Sequence, residues 1–384
     1  MTASPALAML RLLMKARLLI VTQDFPPEKG GIQTYAYELA KALIAMGVEV
    51  AVIAPGNAKN SSILPEARYV KRIAIHSSWL FLSLIFRLPG LIKKEGWTHI
   101  LYLQWQAALP ELIMRKKKHS VMVIVHGREL LTSVLGPFSK PLRQAVFAHA
   151  NHILPNSHAV SDLLLTTSSP SPSKITLCHP GVDAQRFTPV DARFLRERYG
   201  LQNKPIILSL TRMVARKNLA ALIDAMPLVH RSIPNAVLVL CGGGPEYDSL
   251  KAQSLTLGLS DSVFFPGRIA ETEMAAHYCL GDVFALPALQ PEGDIEGFGI
   301  VFLEAAACGI AVLAGRSGGI PDAVANGETG ILVNPKRLEE IANGLIALLG
   351  NPLRLKEMGH AGRQRVLSQF TWKHTAETIL QLIH

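Results

Sequence analysis

Two carboxylates and several glycines mark residues 291–309 as a stretch that could do chemistry. Glu296 and Glu304 are separated by seven residues, and glycines precede the apolar run 300–308. That run predicts a helix ended by Gly309 as its C-cap. The preceding loop therefore opens onto a helix N-terminus, where free N–H groups and the helix dipole favour an anion such as a diphosphate. The carboxylates suit sugar hydroxyls, which donate hydrogen bonds to them. The alternative is a glycine-rich turn with solvated acids.

Cationic side chains precede a second predicted helix. Arg212 ends a predicted strand, and Lys217 lies beside Asn218, a residue type that caps the helix expected over 219–230. Two cations at a helix N-terminus oppose the local dipole, so this arrangement costs energy unless an anion binds there. Solvated loop residues are the alternative interpretation, and it suits Arg216 better than Arg212 or Lys217.

Two weaker signals lie in the first half of the chain. His126 follows a predicted strand, Val121 to Val125, at the carboxyl end where open parallel sheets bind ligands. It is either a functional residue or a structural histidine with satisfied hydrogen bonds. Gly30 and Gly31 stand between a predicted strand and a helix, an order typical of a phosphate-facing turn, although a glycine pair alone is weak evidence.

Strands and helices alternate along the whole chain, and this order positions the residues above. The β-α-β pattern predicts parallel sheets. The proline-containing, charged stretch 188–204 separates two blocks with the same pattern, so we place a domain boundary there. We expect strands over 17–22, 48–54, 99–103, 121–125, 153–155, 206–210, 237–240, 263–265, 283–286 and 311–314, and helices over 32–46, 110–118, 141–150, 161–166, 219–230, 300–308 and 353–384. Phe370 and Trp372 are expected to anchor the last helical stretch in a core.

Length and composition limit the protein classes to consider. A chain of 384 residues, 49% hydrophobic and 18% charged, predicts a globular protein with two domains. The four scattered cysteines suit a reducing cytoplasm and argue against a disulfide framework or a zinc site. A net charge of +10 favours an acidic partner: nucleic acid, anionic lipid or a phosphorylated substrate. Nucleic acid is disfavoured, because basic residues are dispersed, aromatic residues make up only 6%, and no recognised binding motif occurs.

The sequence also bears on membranes. No apolar run reaches the roughly 18 residues that a membrane-spanning helix needs, and the N-terminal segment lacks the pattern of a signal peptide. The segment 79–86 is apolar, and the basic residues 93–94 and 115–119 lie nearby in sequence. Together they predict a surface for anionic lipid, with basic residues complementing a helix dipole as the alternative. We expect a cytoplasmic protein that binds peripherally to the inner membrane face. The oligomeric state stays open.

Five motifs in order make the chain similar to a known family. The chain resembles the retaining glycosyltransferases of family 4, which have the GT-B fold of two Rossmann-like domains facing each other across a cleft. Within that family it is most similar to bacterial GDP-mannose-dependent phosphatidylinositol mannosyltransferases. The motifs are DFPPEKGGIQTYAYELAKAL (24–43), VHG (125–127), HPGVDAQRFTP (179–189), TRMVARKN (211–218) and EGFGIVFLEAAACG (296–309). The resemblance implies an acceptor domain over 1–190, a donor domain over 191–370, and a C-terminal helix over 371–384 that crosses back to the first domain.

The resemblance implies roles for residues at the nucleotide end of the donor. Arg212 and Lys217 match the pair that grips the diphosphate and stabilises it as it leaves. Glu304 matches the ribose ligand. Arg268 and Ile269 lie where such enzymes hold the base.

Further roles concern the transferred sugar. Glu296, with the backbone N–H groups of Phe298, Gly299 and Ile300, is expected to hold hexose hydroxyls. His126 matches the residue that contacts the transferred sugar, and Gly30 and Gly31 would let the backbone approach the phosphates. One departure is visible: many members have Asn where this chain has His179, so His179 is given no role.

The implied reaction moves a hexose, mannose from GDP-mannose, in α linkage onto a glycolipid or other glycan. No D-x-D motif occurs, so we expect no metal and no other cofactor, with protein side chains supplying the positive charge. No carboxylate stands opposite Glu296 as a nucleophile, which favours front-face substitution with retention. The alternatives are a UDP-sugar transferase, a sugar-nucleotide epimerase, an inert sugar-binding relative, and a nucleic-acid-binding protein.

Overall fold

The chain forms two compact units. The computed structural model describes residues 17–27, 30–56, 63–73, 80–114, 119–132 and 135–383. The first unit is Met1–Gly181 with Trp372–His384, and the second is Val182–Thr371. Residues 182–190, which the sequence placed in the first domain, are thus part of the second. The Val182 N–H donates to the Phe370 carbonyl at 2.8 Å, and this pairing joins the two ends of the second unit.

The first unit is built on a six-stranded parallel sheet. Its strands are buried on both sides, as the continuous apolar runs predicted: residues 18–21 of the first strand are 0% exposed. The order along the sheet is β3-β2-β1-β4-β5-β6. The strands are β1 (Arg17–Val21), β2 (Glu49–Pro55), β3 (Tyr69–Ile73), β4 (His99–Tyr102), β5 (Ser120–Val125) and β6 (His152–Pro155).

Helices connect these strands. They are α1 (Gly31–Ala45), α2 (Leu80–Glu95), α3 (Arg128–Leu131), α4 (Ser139–His149) and α5 (His158–Ser168), with 3₁₀ helices at Trp105–Ile113, Gly136–Phe138 and Pro172–Lys174. The helix predicted over 110–118 is wrong: the Trp105–Ile113 segment is 3₁₀ and begins earlier, and Pro110 within it cannot donate an intrahelical hydrogen bond.

The predicted basic surface is only partly described. Residues 74–79 and 115–118 lie outside the described residues. His119 does not belong to a surface, because it is buried and its Nε2 lies 3.1 Å from both carboxylate oxygens of Glu111. The Tyr102 hydroxyl donates to the same carboxylate at 2.6 Å.

The second unit repeats the plan of the first. Its six parallel strands have the order β12-β11-β10-β7-β8-β9. The strands are β7 (Ile206–Leu210), β8 (Val237–Cys241), β9 (Val263–Gly267), β10 (Val283–Leu286), β11 (Ala311–Gly315) and β12 (Gly330–Val333). In both sheets the first strand of the unit lies beside the fourth, so the connections leave in opposite directions there. In open α/β sheets, ligands bind at the carboxyl ends of such a strand pair.

The helices of the second unit cover this sheet. They are α6 (Arg193–Arg198), α7 (Leu219–Ser232), α8 (Tyr247–Thr256), α9 (Met274–Leu280), α10 (Ile300–Ala307), α11 (Ile320–Ala323), α12 (Leu338–Leu349) and α13 (Pro352–Gln369), with 3₁₀ turns at Ala215–Lys217 and Glu271–Glu273. The predicted α/β class with two Rossmann-like domains is therefore confirmed.

The final helix belongs to the first unit. This helix, α14 (Trp372–Ile383), packs on α1, and the Trp372 ring meets Tyr35 edge-on with centroids 5.2 Å apart. Trp372 is buried there and Phe370 is buried in the second unit, which confirms both predicted anchors. Among the described helices, none combines the length and apolar character needed to span a bilayer.

Candidate active site

The site in the second unit is built where β7 and β10 run side by side. The loop after β7 carries Arg212, Arg216 and Lys217, and the loop after β10 carries Glu296. Parallel neighbours end at the same edge of a sheet, so the topology alone brings these two distant stretches of sequence together. The charged residues singled out in the sequence therefore share one end of one sheet.

The loop after β7 is held by an amide and by close backbone packing. Asn218 precedes α7 in a left-handed conformation, with φ 56°, and its side chain does not cap the helix as predicted. Instead Nδ2 donates to the carbonyls of Pro287, at 3.1 Å, and Pro335, at 2.8 Å. These bonds hold the loop against the segments that follow β10 and β12, and so fix the backbone next to Lys217.

A glycine turn after β8 supports the same loop from the other side. The Met213 N–H donates to the Gly243 carbonyl at 3.0 Å. A Cβ at Gly242 would lie 1.9 Å from the Thr211 carbonyl oxygen, and one at Gly244 would lie 2.2 Å from that of Met213. Both glycines also have positive φ, so a side chain at either would displace the loop that carries the cations.

Lys217, Glu296 and Arg216 form a buried charge cluster. Lys217 Nζ donates to Glu296 Oε2 at 2.5 Å, and the Arg216 guanidinium donates to the same oxygen. Lys217 is 6% exposed and Glu296 is 8% exposed. Arg216 Nε also lies 3.6 Å from Asp294 Oδ2. The acidic partners of both cations therefore come from one short loop, residues 294–296.

Burial and charge shift the pKa values in this cluster. Burial lowers the pKa of Lys217 and outweighs the attraction of Glu296, with Arg216 adding to the decrease. Burial alone would raise the pKa of Glu296, but the charges of Lys217 and Arg216 outweigh it and hold that pKa below its ordinary value. Glu296 is thus ionised, and Lys217 is a poorly hydrated cation that further negative charge would stabilise.

The structure reverses the predicted order of the two arginines. Arg216, which the sequence assigned to solvent, contacts Glu296 and Asp294. Arg212 is exposed, and among the described residues its guanidinium makes no ion pair. The reason is the 3₁₀ turn Ala215–Lys217, which directs consecutive residues into the site. The sequence placed both arginines on one loop but did not reveal this turn.

The N-terminus of α10 lies at the end of the same loop. Gly299 precedes the helix with φ 89°, and a Cβ there would lie 2.6 Å from the Phe302 ring. The first N–H groups of an α-helix have no acceptor in a preceding turn. In α10 the Phe302 N–H donates to the Gly299 carbonyl at 3.0 Å, so the N–H groups before it are the candidates for a ligand. Phe298 points its ring into the core against Phe370, with centroids 5.8 Å apart. Its backbone, rather than its side chain, remains the candidate contact.

The loop after β11 braces the Glu296 backbone. The Gly319 N–H donates to the Glu296 carbonyl at 2.9 Å, and a Cβ at Gly318 would lie 2.3 Å from the same oxygen. Gly318 and Gly319 form the turn between β11 and α11. It fixes the position of Glu296 through main-chain contacts.

Glu304 lies one turn into α10 and has a partner that sequence reasoning missed. The Tyr278 hydroxyl donates to Glu304 Oε2 at 2.5 Å, and Tyr278 itself is 0% exposed. Burial raises the pKa of Glu304, a rise that Tyr278 and Arg186 oppose. No sequence motif includes Tyr278, which lies in the helix α9 that packs on α10.

Arg268 and Ile269 follow β9, two strands from β7. Arg268 is exposed, and a Cβ at Gly243 would lie 3.2 Å from its Nε. Ile269 packs against the hydrophobic core of this unit. The glycine turn after β8 therefore contacts both the cationic loop and the Arg268 side chain.

The predicted residues of the first unit lie at the carboxyl edge of its own sheet. Gly30 precedes α1 with φ 167°, which is extended backbone, and a Cβ there would meet the Gln33 side chain. No atom lies within 4 Å of a Cβ at Gly31 among the described residues, so the space over the start of α1 is open. Asp24, which the sequence analysis did not select, accepts hydrogen bonds from Gln33 at 3.1 Å and Gln104 at 3.0 Å.

His126 lies between the Tyr35 ring and the turn that follows β5. Its ring meets the Tyr35 ring edge-on, with centroids 5.1 Å apart, and its backbone N–H donates to Glu129 Oε1 at 2.5 Å. Burial lowers the pKa of His126 to about 4, although a hydrogen bond to the Leu103 backbone opposes the shift. Burial raises the pKa of Glu129 to about 7, against three backbone N–H groups. His126 is therefore neutral at pH 7.

These features describe what the second unit can bind. Lys217, Arg216 and the start of α10 supply positive charge and N–H donors, which suit an anion. Glu296 and Glu304 are buried acceptors, which suit hydroxyl groups. An anionic group joined to polyhydroxylated groups satisfies both sets.

Two family models match consecutive parts of the chain. Residues 29–186 match the model described as glycosyltransferase family 4, and residues 191–365 match glycosyl transferases group 1. A GDP-mannose-dependent alpha-(1-6)-phosphatidylinositol monomannoside mannosyltransferase from Mycolicibacterium smegmatis is 34% identical, over 95% of this chain and 98% of that protein. A GDP-mannose-dependent monoacylated alpha-(1-6)-phosphatidylinositol monomannoside mannosyltransferase from Corynebacterium glutamicum is 30% identical, over 96% of this chain and 97% of that protein.

Solved structures agree on the fold. Sucrose-phosphate synthase from Thermosynechococcus elongatus has a TM-score of 0.80 at 23% identity, covering 96% of this chain and 98% of that one. Anabaena Alr3699/HepE in complex with UDP also scores 0.80, at 19% identity, covering 96% of this chain and 99% of that one. Because family models and full-length relatives agree with the topology, the chain belongs to the family 4 glycosyltransferases and has the GT-B fold.

Proposed function

We propose that the enzyme transfers mannose from GDP-mannose, with retention of the α configuration, to a phosphatidylinositol mannoside or a similar glycolipid. The names of its full-length relatives support the donor and the acceptor class. The single observation that carries the proposal is the buried contact of Lys217 with Glu296 beside the N-terminus of α10. That arrangement supplies cations and N–H groups for a diphosphate and a carboxylate for the attached sugar.

The residues of the second unit divide the donor among them. In this proposal Lys217 and Arg212 contact the diphosphate. The ammonium of Lys217 has three N–H donors, so it can keep its bond to Glu296 and still bind a phosphate oxygen. Glu296 and the N–H groups of residues 298–300 hold the hexose hydroxyls. Glu304, oriented by Tyr278, accepts hydrogen bonds from the ribose.

Arg268 and Ile269 are proposed to hold the base. Ile269 offers an apolar surface, and the exposed Arg268 guanidinium can stack on a planar ring or donate to its oxygens. Guanine presents a carbonyl oxygen and a ring nitrogen that accept such bonds. GDP is therefore proposed over UDP, on the strength of the relatives' names and not of this side chain alone.

Departure of the diphosphate is the step that needs positive charge. Cations held in a poorly hydrated site stabilise developing negative charge far better than cations in water. Lys217 is such a cation, and together with the exposed Arg212 it is proposed to supply that charge without a metal ion. The leaving phosphate then accepts the proton of the attacking acceptor hydroxyl on the same face, so the α configuration is kept. His126 is proposed to contact the transferred sugar, and Gly30 and Gly31 to let main chain approach the phosphates.

A lipid acceptor gives α2 a role at the membrane. Leu84, Leu88 and Ile92 are buried on one side of this helix, whereas Phe86 is 87% exposed. Arg87, Lys93 and Lys94 are exposed with it. An exposed aromatic ring flanked by cations suits the interface of an anionic bilayer. We propose peripheral binding through this face, on the cytoplasmic side.

Vesicle co-sedimentation tests the membrane part separately. Phe86→Ser is expected to reduce binding to vesicles containing phosphatidylglycerol, and added salt should reduce wild-type binding, because surface charges are screened. Lys251→Gln, which removes an exposed charge from the second unit, serves as the control. Binding that ignores both anionic lipid and salt would contradict a role for this surface.

A ligand panel and a transfer assay test the reaction. Thermal shifts are measured with GDP, UDP, ADP and their sugars, because a ligand that binds the folded state raises the transition temperature. GDP-mannose is expected to give the largest shift, and transfer to a short-chain phosphatidylinositol mannoside should continue in EDTA. A larger shift with a UDP-sugar would move the assignment to a UDP-sugar transferase. Loss of transfer in EDTA, restored by a divalent ion, would refute metal independence.

A further inference from the structure

Three neighbouring strand ends in the first unit carry buried polar atoms that have no hydrogen-bond partner among the described residues. They are Gln106 Oε1 just beyond β4, His126 Nε2 just beyond β5, and Asn156 Oδ1 just beyond β6. Gln106 is 6% exposed and Asn156 is 5% exposed. A buried acceptor without a donor costs free energy, so three such atoms at adjacent positions require an explanation.

Local contacts place the three residues at the same edge of the sheet. β4, β5 and β6 are consecutive parallel neighbours, and adjacent strands lie about 4.8 Å apart. The Asn156 N–H donates to the Val125 carbonyl at 3.0 Å, which puts Asn156 beside His126. Trp105 Nε1 donates to the Glu129 carbonyl at 3.1 Å, so the segment that carries Gln106 is tied to the turn that follows His126.

All three atoms are hydrogen-bond acceptors. The oxygens of Gln106 and Asn156 can only accept. The neutral His126 ring has one donor nitrogen and one acceptor nitrogen, and Nε2, which has no partner, accepts in the tautomer that carries the proton on Nδ1. In the neutral ring that leaves Nε2 as a lone pair. A ligand for this place must therefore donate hydrogen bonds, which hydroxyl groups do and a fully ionised phosphate does not.

We propose that Gln106 and Asn156 form a polyol-binding subsite beside His126 that selects the acceptor by its ring hydroxyls. The ligand class is a sugar or cyclitol headgroup with neighbouring free hydroxyls. The identification of this headgroup as the acceptor rests on the proposed function. The binding of a polyol at this place does not depend on it. Gln106 and Asn156 are specificity-determining residues in this inference, since they contact hydroxyls of the acceptor ring.

Apolar variants of similar size test the two new residues. Asn156→Leu and Gln106→Met each remove the accepting oxygen and keep most of the volume. Each should raise the acceptor KM about tenfold, the effect of one lost hydrogen bond, while donor KM and slow hydrolysis of the donor stay unchanged. The transition temperature should hold or rise, because an unpaired buried oxygen has been removed. Tyr69→Phe, at the other end of the sheet on β3, is the control and should leave the acceptor KM unchanged.

Deoxy acceptors identify the hydrogen bond directly. If Asn156 accepts from one hydroxyl, the acceptor lacking that hydroxyl loses affinity for the wild type but not further for Asn156→Leu, so the two changes are not additive. Additive losses for every deoxy acceptor, in both Asn156→Leu and Gln106→Met, would overturn the inference. A fall in transition temperature with no change in acceptor KM would also overturn it, since that pattern marks a structural role.

A binding experiment with a polyol alone, in the absence of any nucleotide sugar, tests the subsite independently of the proposed function. Ligand-observed NMR with myo-inositol and methyl α-mannoside should show contact with the wild type and with Tyr69→Phe, and a weaker signal with Asn156→Leu. That result supports the subsite even if no transfer from GDP-mannose is found, in which case the proposed function alone fails. Equal signals for the wild type, Asn156→Leu and Gln106→Met, or no signal for the wild type, would refute the subsite.

Discussion

Lys217→Met removes the most deeply buried cation of the candidate site and keeps its aliphatic volume. Two effects follow, and the structure separates them. The first is on stability: Glu296 loses one donor but keeps Arg216, so it is not left as an unpaired buried charge. The loss is then that of one hydrogen bond to a charged group, about 2 kcal/mol, rather than the 3–5 kcal/mol of a fully broken buried pair. For a unit of this size that corresponds to a transition temperature lower by about 4 to 8 °C.

The second effect is on turnover. Removing one preorganised donor from a developing anion costs roughly 10²- to 10³-fold in kcat in other enzymes, or about 3 to 4 kcal/mol. Lys217 belongs at the upper end of that range because it is 6% exposed, and a cation shielded from water interacts more strongly with a leaving diphosphate. The donor KM should change much less than kcat, since the charge on the bridging oxygen grows only as the bond breaks.

The assay measures GDP release with and without acceptor, together with thermal unfolding of each variant. Lys251→Met is the matched control, because it deletes an exposed lysine of the same unit and should leave both readouts unchanged. A Lys217→Met enzyme that is folded and retains kcat within about threefold of wild type would refute the role given to Lys217, since that difference is below 1 kcal/mol.

Three further predictions concern neighbouring groups. Arg212→Ala should lose most turnover, with an unchanged transition temperature because the side chain is exposed and unpaired among the described residues; near-normal kcat would remove Arg212 from the reaction. Tyr278→Phe should raise the donor KM several-fold by freeing Glu304 to rotate, and an unchanged KM would show that Glu304 needs no such support. Glu129→Gln should alter the pH dependence of stability: the folded pKa of Glu129, about 7, lies above the ordinary 4.5, so its contribution is complete below about pH 4.5 and is lost as the pH rises through 7. Between pH 4.5 and 7 the free energy of unfolding of the wild type should fall by roughly 3 kcal/mol relative to that of Glu129→Gln. Urea unfolding measures both values, and the same pH dependence for the two proteins would contradict the assignment.

Short-range patterns in the sequence determined the class of fold and the residues worth testing. Continuous apolar runs such as 18–21 can be satisfied only in a strand buried on both faces, and the glycines before residue 300 can only form a loop that opens a helix. Apolar runs and glycine positions are local features, so they could be interpreted from the sequence without a structure. The strands β3 and β12 were not predicted, because they lie at the edges of their sheets and have only a weak apolar pattern.

The partners of the candidate residues depend on tertiary structure alone. Glu296 contacts Arg216, 80 positions away in sequence, because the sheet order places β7 beside β10, and no periodicity records that order. Tyr278 reaches Glu304 because α9 packs on α10, and Asn156 lies beside His126 because β6 pairs with β5. Which side chains reach solvent is decided in the same way: Arg212 and Arg216 are alike in the sequence, and one 3₁₀ turn separates their environments. Local propensity is encoded residue by residue, whereas charge pairing, burial and unpaired acceptors arise only when distant strand ends meet.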